Sequence, residues 1–170
     1  MRSNKPYTNV TFTKRVDYDG GAHREAQAPH EPLVCRQCGN VYLKRRWLLA
    51  SDPRAAITGA VAEPVTCPAC EAEASGVARG YLRLEGNFFV SHRPEIDALI
   101  RAEAARAAED NPLGRIIRWE ASADGGLVVA TSTEHLAARL GEAVRDAYGG
   151  ALDHGFSHGN KLARATWRRD

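Results

Sequence analysis

Arg115-Ile116-Ile117-Arg118-Trp119, then Asp124-Gly125-Gly126, then Leu127-Val128-Val129-Ala130-Thr131-Ser132-Thr133-Glu134: this stretch decides the fold of the chain. Two runs rich in β-branched residues, separated by a Gly-rich turn signal, read as a β-hairpin. Thr131 to Glu134 has the spacing of a capping box. Leu136, Leu140, Ala143, Val144 and Ala147 then recur at helical intervals until Gly149-Gly150 stops the helix.

On the N-terminal side, Gly80 to Val90 reads as a strand bent at Gly86-Asn87. Pro94 suits the first turn of a helix. Its apolar face carries Ile96, Leu99, Ile100, Ala104 and Ala107 or Ala108. That helix ends before Asn111-Pro112, because the residue preceding proline disfavours the α region. On the C-terminal side, Ala151 to Phe156 and Lys161 to Arg168 read as strands flanking a polar turn at Ser157-His158-Gly159-Asn160. The order is β-α-β-β-α-β with its last strand extended into a ribbon. This predicts an α+β, ferredoxin-like domain over residues 77–170, with two helices on one face of an antiparallel sheet. The other face would carry Arg83, Arg118 and Thr131. A KH-like sheet is the alternative.

Further out lie Cys35-Arg36-Gln37-Cys38 and Cys67-Pro68-Ala69-Cys70, which hold all four cysteines of the chain. Two such pairs supply the closed tetrahedral S₄ shell of one structural Zn²⁺. Gly39 follows the first pair, where a knuckle turn favours positive φ. Residues 31–76 therefore read as a treble-strand or hairpin zinc ribbon, with Val41 to Leu48 as one strand of its hairpin. A thioredoxin-like site would open a helix at the first pair, whereas Gly39-Asn40 and strand-like residues follow it. Paired disulfides would need an oxidising compartment. Met1 to Pro6 is polar with no apolar segment behind it, so a cytoplasmic location is expected. Residues 1–30 are polar and aperiodic and read as a flexible arm; His23 and His30 in it are expected to be solvated, since four thiolates saturate the ion.

The 170 residues, 44% hydrophobic and 26% charged, suffice for one core plus a satellite module. No run is long enough to span a membrane. The net charge is only +2, but Lys14, Arg15, Arg36, Lys44, Arg45, Arg46 and Arg54 fall in the first third, and Lys161, Arg164, Arg168 and Arg169 crowd the C-terminus. Acidic residues concentrate on the two middle helices.

The stretch from Arg118 to Arg169 resembles the ferredoxin-like region of the Nmd-three family, the archaeal and eukaryotic adaptors of large ribosomal subunit export. The matching pieces are Gly125-Gly126-Leu127-Val128-Val129-Ala130-Thr131, the helix Glu134 to Leu140, Tyr148-Gly149-Gly150, and Ala165-Thr166-Trp167-Arg168-Arg169. The Cys-x-x-Cys-Gly opening is similar to that family's N-terminal zinc region. The larger relatives carry two tetrathiolate groups and this sequence one, so the likeness is to short bacterial forms with a single ribbon, and an export role is not carried over. The resemblance implies affinity for ribosomes or structured RNA.

The residues point the same way. Lys44-Arg45-Arg46-Trp47 sets three cations beside an indole, able to neutralise phosphate and to stack on an unpaired base. Arg79, Arg83, Lys161, Arg164, Arg168 and Arg169 would extend that footprint. Trp47 is read equally as packing between modules, and Trp119 and Trp167 as core or sheet-face aromatics. The second reading is a protein-interaction module whose partner meets the acidic helix faces. No enzyme is expected: His92, His135, His154, His158, Ser91, Ser132 and Ser157 form no nucleophile elbow or ligand spacing, and Asp153-His154 lacks a placed nucleophile. Charge geometry discriminates between the two readings: cations gathered on one face favour RNA.

Overall fold

Two sheets and four helices make up residues 31–56, 61–157 and 162–170, which the computed structural model describes. The arm over residues 1–30 and Lys161 lie outside the described residues. Among the described residues no helix is long and apolar enough to cross a membrane.

The smaller sheet has the order β3-β2-β1-β4, built from β1 (Leu33–Cys35), β2 (Val41–Leu43), β3 (Arg46–Leu48) and β4 (Glu63–Val65). β1 pairs antiparallel with β2 and parallel with β4. Val41 to Leu48 is not the single strand its composition suggests. The chain reverses at Lys44 (φ 50°) and Arg45 (φ 62°), so that Val41 faces Leu48 and Tyr42 faces Trp47 across a two-residue turn. Val41 and Leu48 are buried together with Ala55, and a continuous strand would leave Leu48 without that partner. After β4 comes a helix that the sequence pattern does not announce, α1 (Pro68–Ser75). The Cys67 sulfur accepts the N–H of Cys70, proline takes the first turn, and Gly76 closes the helix at φ 69°.

The larger sheet has the order β6-β7-β5-β9-β8. Its strands are β5 (Gly80–Glu85), β6 (Ile116–Ala121), β7 (Leu127–Thr131), β8 (Ala151–Ser157) and β9 (Leu162–Arg168). The expected strand through Val90 stops at Glu85. Gly86 sits at φ 100° against the Arg169 backbone, and Phe88 to Val90 lie in a short helix, α2 (Asn87–Ser91), that buries Phe89. The long helix α3 (Arg93–Asp110) and the helix α4 (Glu134–Tyr148) match their sequence patterns. The N-cap of α4 is Thr133, whose hydroxyl accepts from the N–H of Leu136, so the capping unit begins two residues later than the Thr131–Glu134 spacing suggests.

A four-stranded split βαβ sheet would set the strand after the second helix antiparallel beside the first strand. Here β9 occupies that place and runs parallel to β5, and β8 is displaced to the edge, antiparallel to β9. β9 turns Ala163, Ala165 and Trp167 inward, all buried, and among the described side chains of β8, which run from Ala151 to Gly155, Leu152 is half-buried against the core and the others are exposed. A strand with three buried side chains on one face suits the interior position.

Leu82, Leu84, Leu127, Val129, Ala165 and Trp167 of the sheet meet Phe89, Ile96, Ile100, Leu136, Leu140 and Val144 of the helices in one core. Gly141 lets α4 approach closely, since a Cβ there would stand 3.0 Å from Leu152 and 3.3 Å from Leu82. On the face away from the helices, Arg118 and Tyr81 both lie level with Ala130, and Tyr81 lies level with Arg164.

Candidate metal centre and the basic hairpin beside it

Cys35 ends β1, and Cys38 sits in the turn behind it, where Gly39 takes φ 72° and its N–H donates to the Cys35 carbonyl at 2.9 Å. Cys67 and Cys70 bracket the first turn of α1. The parallel pairing of Cys35 with Val65 carries the second pair to the side of the first. The Sγ atoms of Cys35 and Cys70 are 3.7 Å apart, as are those of Cys38 and Cys67, and all four lie within 4.8 Å of one another. Ligands on a tetrahedron with metal–sulfur bonds of about 2.3 Å are about 3.8 Å apart, whereas a disulfide holds its sulfurs at about 2.05 Å. The set therefore fits one metal ion.

The surroundings of the sulfurs agree with that fit. The N–H of Cys67 donates to Cys35 Sγ at 3.3 Å, and that of Cys70 to Cys67 Sγ at 3.5 Å. Burial pushes the Cys35 thiol up, but the N–H groups of Cys38, Cys67 and Gln37 outweigh it and bring it down to about 6. Burial pushes the Cys67 and Cys70 thiols up. A divalent cation seated among the four sulfurs would favour their thiolate forms. Four sulfurs leave that cation no open position for substrate.

One guanidinium from the larger sheet enters this shell. Arg115 Nη1 donates to Cys70 Sγ at 3.5 Å and to Glu73 Oε2 at 3.1 Å. Burial works against its charge, and the sulfurs of Cys38 and Cys70 together with Glu73 more than offset that. Its backbone is fixed as well: the N–H of Arg115 donates to Ser132 Oγ at 2.8 Å, and Ser132 Oγ donates to the Leu113 carbonyl at 2.5 Å. Leu113 and Trp47 pack against the cysteines. Arg118 Nη1 donates to the Gly76 carbonyl at 2.6 Å, which ties the end of α1 to β6.

The predicted nucleic-acid residues separate into three groups. Lys44, Arg45 and Arg46 sit together, all exposed, at the tip of the β2–β3 hairpin. Trp47 is half-buried, tilted against Tyr42 with ring centroids 5.5 Å apart and packed on the cysteines. Arg83, Arg164 and Arg168 alternate with buried residues, on the face away from the helices, and Arg79 is exposed just before β5. Arg83 there is engaged by Glu85 and by Asp124 at 2.5 Å, and Arg168 by Asp170 at 3.3 Å. Arg169 belongs to neither group. Its guanidinium lies 3.8 Å from the Phe88 ring centroid and donates to the Tyr148 carbonyl, so it locks the end of β9 onto the helices. Of the acidic helix residues, Glu103 and Asp110 are each 2.7 Å from Arg139. Sequence reasoning misses Arg115 and Glu31, whose contacts join residues far apart in the chain, and Tyr81, which only the strand register places between arginines.

Compared with protein-family models, curated proteins and solved structures, the chain matches none of them.

Proposed function

We propose that this is a non-enzymatic zinc protein that binds RNA or the ribosome, in which the metal is scaffold and the hairpin beside it is the contact. The fold reading that goes with it is a zinc ribbon joined to a ferredoxin-like domain with one inserted strand, as the resemblance to the Nmd-three family implies. Zinc is supported by four sulfurs at tetrahedral spacing in a closed shell, for which Zn²⁺ is the usual ion in an S₄ structural site.

The observation that carries the binding reading is the hairpin tip. Lys44, Arg45 and Arg46 are consecutive and exposed, and the strand that carries Arg46 is anchored through Trp47 to the cysteine cluster. Rigidly held cations lose little entropy on meeting phosphate. The sheet face adds Arg79 and Arg164, for which no carboxylate partner occurs among the described residues. Affinity capture of the tagged protein from native lysate, with and without nuclease, tests the reading. Recovery of RNA or ribosomal particles that nuclease abolishes is the expected result. A nuclease-resistant protein partner with no RNA would replace it with the interaction-module reading.

A further inference from the structure

The β2–β3 turn is built from unusual residues. A two-residue hairpin with both central residues at positive φ is the type I′ turn, for which Asn-Gly is the favoured pair. Lys44 at 50° and Arg45 at 62° occupy those positions instead. A side chain in the left-handed region costs about 1–2 kcal/mol per residue relative to glycine. Turn geometry alone does not explain two long cationic side chains there, and strain of this kind collects where a site needs it.

The same turn points its two free N–H groups outward, and both are occupied by one anion. Glu31 Oε2 accepts from the N–H of Lys44 at 2.6 Å, and Oε1 accepts from the N–H of Arg45 at 2.8 Å. Successive N–H groups converging on one carboxylate make the concave anion seat that backbone alone can supply. Glu31, Lys44, Arg45 and Arg46 are all exposed, so solvent reaches the seat and the carboxylate can leave it without unpacking the core. A backbone phosphodiester presents the same two-oxygen edge with the same single negative charge, and the turn that would receive it carries three consecutive exposed cationic residues.

We propose that the N–H pair of Lys44 and Arg45 is a phosphate-binding seat that the Glu31 carboxylate holds in reserve, and that an RNA backbone phosphate displaces it. This rests on the RNA reading above and adds the atoms that take the phosphate and the group that competes for them. An internal competitor lowers the apparent affinity by the fraction of time the seat is free. Removing it therefore tightens binding, whereas removing an equal charge nearby does not tighten it to the same degree. Glu63, exposed on β4 and paired with Leu33 two residues from Glu31, supplies that control.

The full chain is titrated with a twelve-nucleotide uridine RNA and, separately, with inorganic pyrophosphate, following the backbone amide signals of Lys44 and Arg45. Glu31→Ala and Glu63→Ala are compared with the parent. The expected result is that both ligands move the two amide signals in the parent chain, and that Glu31→Ala binds RNA roughly three- to tenfold tighter while Glu63→Ala changes affinity much less. RNA binding with unmoved amide signals and equal affinities for the two variants overturns the seat and leaves the RNA reading standing. Pyrophosphate moving the amides without any RNA binding keeps the seat and rejects the RNA reading. Neither ligand moving the amides, with no RNA bound anywhere on the chain, overturns both. The parent titration needs no variant to fold, so the outcome does not depend on Glu31→Ala keeping the turn.

Discussion

Arg115 Nη1 lies 3.5 Å from Cys70 Sγ and 3.1 Å from Glu73, so the residue just before β6 of the larger sheet is also a neighbour of the four-cysteine cluster. An ion bound by four thiolates carries two net negative charges. A half-buried guanidinium beside one of those sulfurs opposes that charge and orients the ligand. The contact, with the hydrogen bond from Arg118 to the Gly76 carbonyl, links the two sheets while their cores stay separate.

Replacing Arg115 with Ala is expected to weaken metal retention by about tenfold, as removal of a partner behind a metal ligand does elsewhere. Arg115→Lys should restore the charge but not the paired contact to Cys70 and Glu73. The rate of zinc transfer to a chromophoric chelator measures both variants, and equal rates in all three proteins would remove Arg115 from this role.

Native mass spectrometry of the reduced protein is expected to show one zinc per chain. Structural zinc contributes roughly 10–16 kcal/mol of binding free energy in small domains, more than the smaller sheet can supply from Val41, Leu48 and Ala55. Cys67→Ser, at a fully buried position, should therefore abolish metal binding and lose the amide dispersion of residues 33–75. The larger sheet should retain its own dispersion, since its core is separate.

The pair Lys44→Asn and Arg45→Gly separates charge from conformation. It converts the turn to the favoured Asn-Gly type, so thermal stability should rise, by up to about 1–2 kcal/mol for each residue relieved. RNA affinity should fall in the same protein, and the log–log salt slope should flatten by about 0.7 for each single-strand phosphate that is no longer neutralised. Greater stability with unchanged RNA affinity would place the RNA-binding surface elsewhere, on the sheet face.

Trp167 is fully buried, and its indole N–H donates to the Gly149 carbonyl at 2.7 Å. Trp167→Phe should cost about 0.5–1.5 kcal/mol, because the hydrogen bond from the indole to the Gly149 carbonyl is lost. Trp167→Ala should cost about 3–5 kcal/mol from the cavity it opens. Urea unfolding of the zinc-loaded protein reads both, and a Phe variant as stable as the parent would mean that water replaces the indole donor.

Glu103 joins the two long helices by accepting from Arg139 Nε at 2.7 Å and from Arg106 Nε at 2.9 Å, and these hydrogen bonds, the Arg139 one foremost, hold its carboxyl below the ordinary 4.5. A depressed folded-state value means the carboxylate stabilises the fold above its unfolded-state value, and that the stability disappears as pH falls through the depressed one. The melting temperature of the parent should therefore fall more steeply on acidification below about pH 4.5 than that of Glu103→Gln. Parallel profiles for the two proteins would contradict this.

The parts legible in the sequence are those whose signal is local. The helical periods of Ile96 to Ala107 and of Leu136 to Val144, the hairpin around Asp124-Gly125-Gly126, and the two cysteine pairs each declare themselves within a dozen residues. The turn at Lys44-Arg45 is hidden because its residues are poor turn formers held in place by Glu31, thirteen positions upstream. Helix α1 is hidden because Pro68 to Ser75 has no apolar stripe; its order comes from Cys67 and the sulfur cluster. The exchange of β8 and β9 is a matter of which strand pairs with β5, a long-range relationship that no single strand pattern contains. At the candidate site, the sulfurs are readable from spacing, and Arg115 is not, because only the tertiary fold brings residue 115 to residue 70.

The interior position of β9 has a consequence for synthesis. β8 touches the rest of its sheet only through β9, and β5 lacks its second neighbour until β9 arrives. A nascent chain that has emerged as far as Ser157 can pair β5, β6 and β7 and wind all four helices, but β8 has nothing to join. The smaller sheet and its four cysteines are by then already outside the ribosomal tunnel. β8 and β9 pair antiparallel as a local hairpin, and its β9 edge then joins β5 in a long-range parallel pairing that is slow to form. The cysteine module can therefore be loaded with metal while the larger domain is still open.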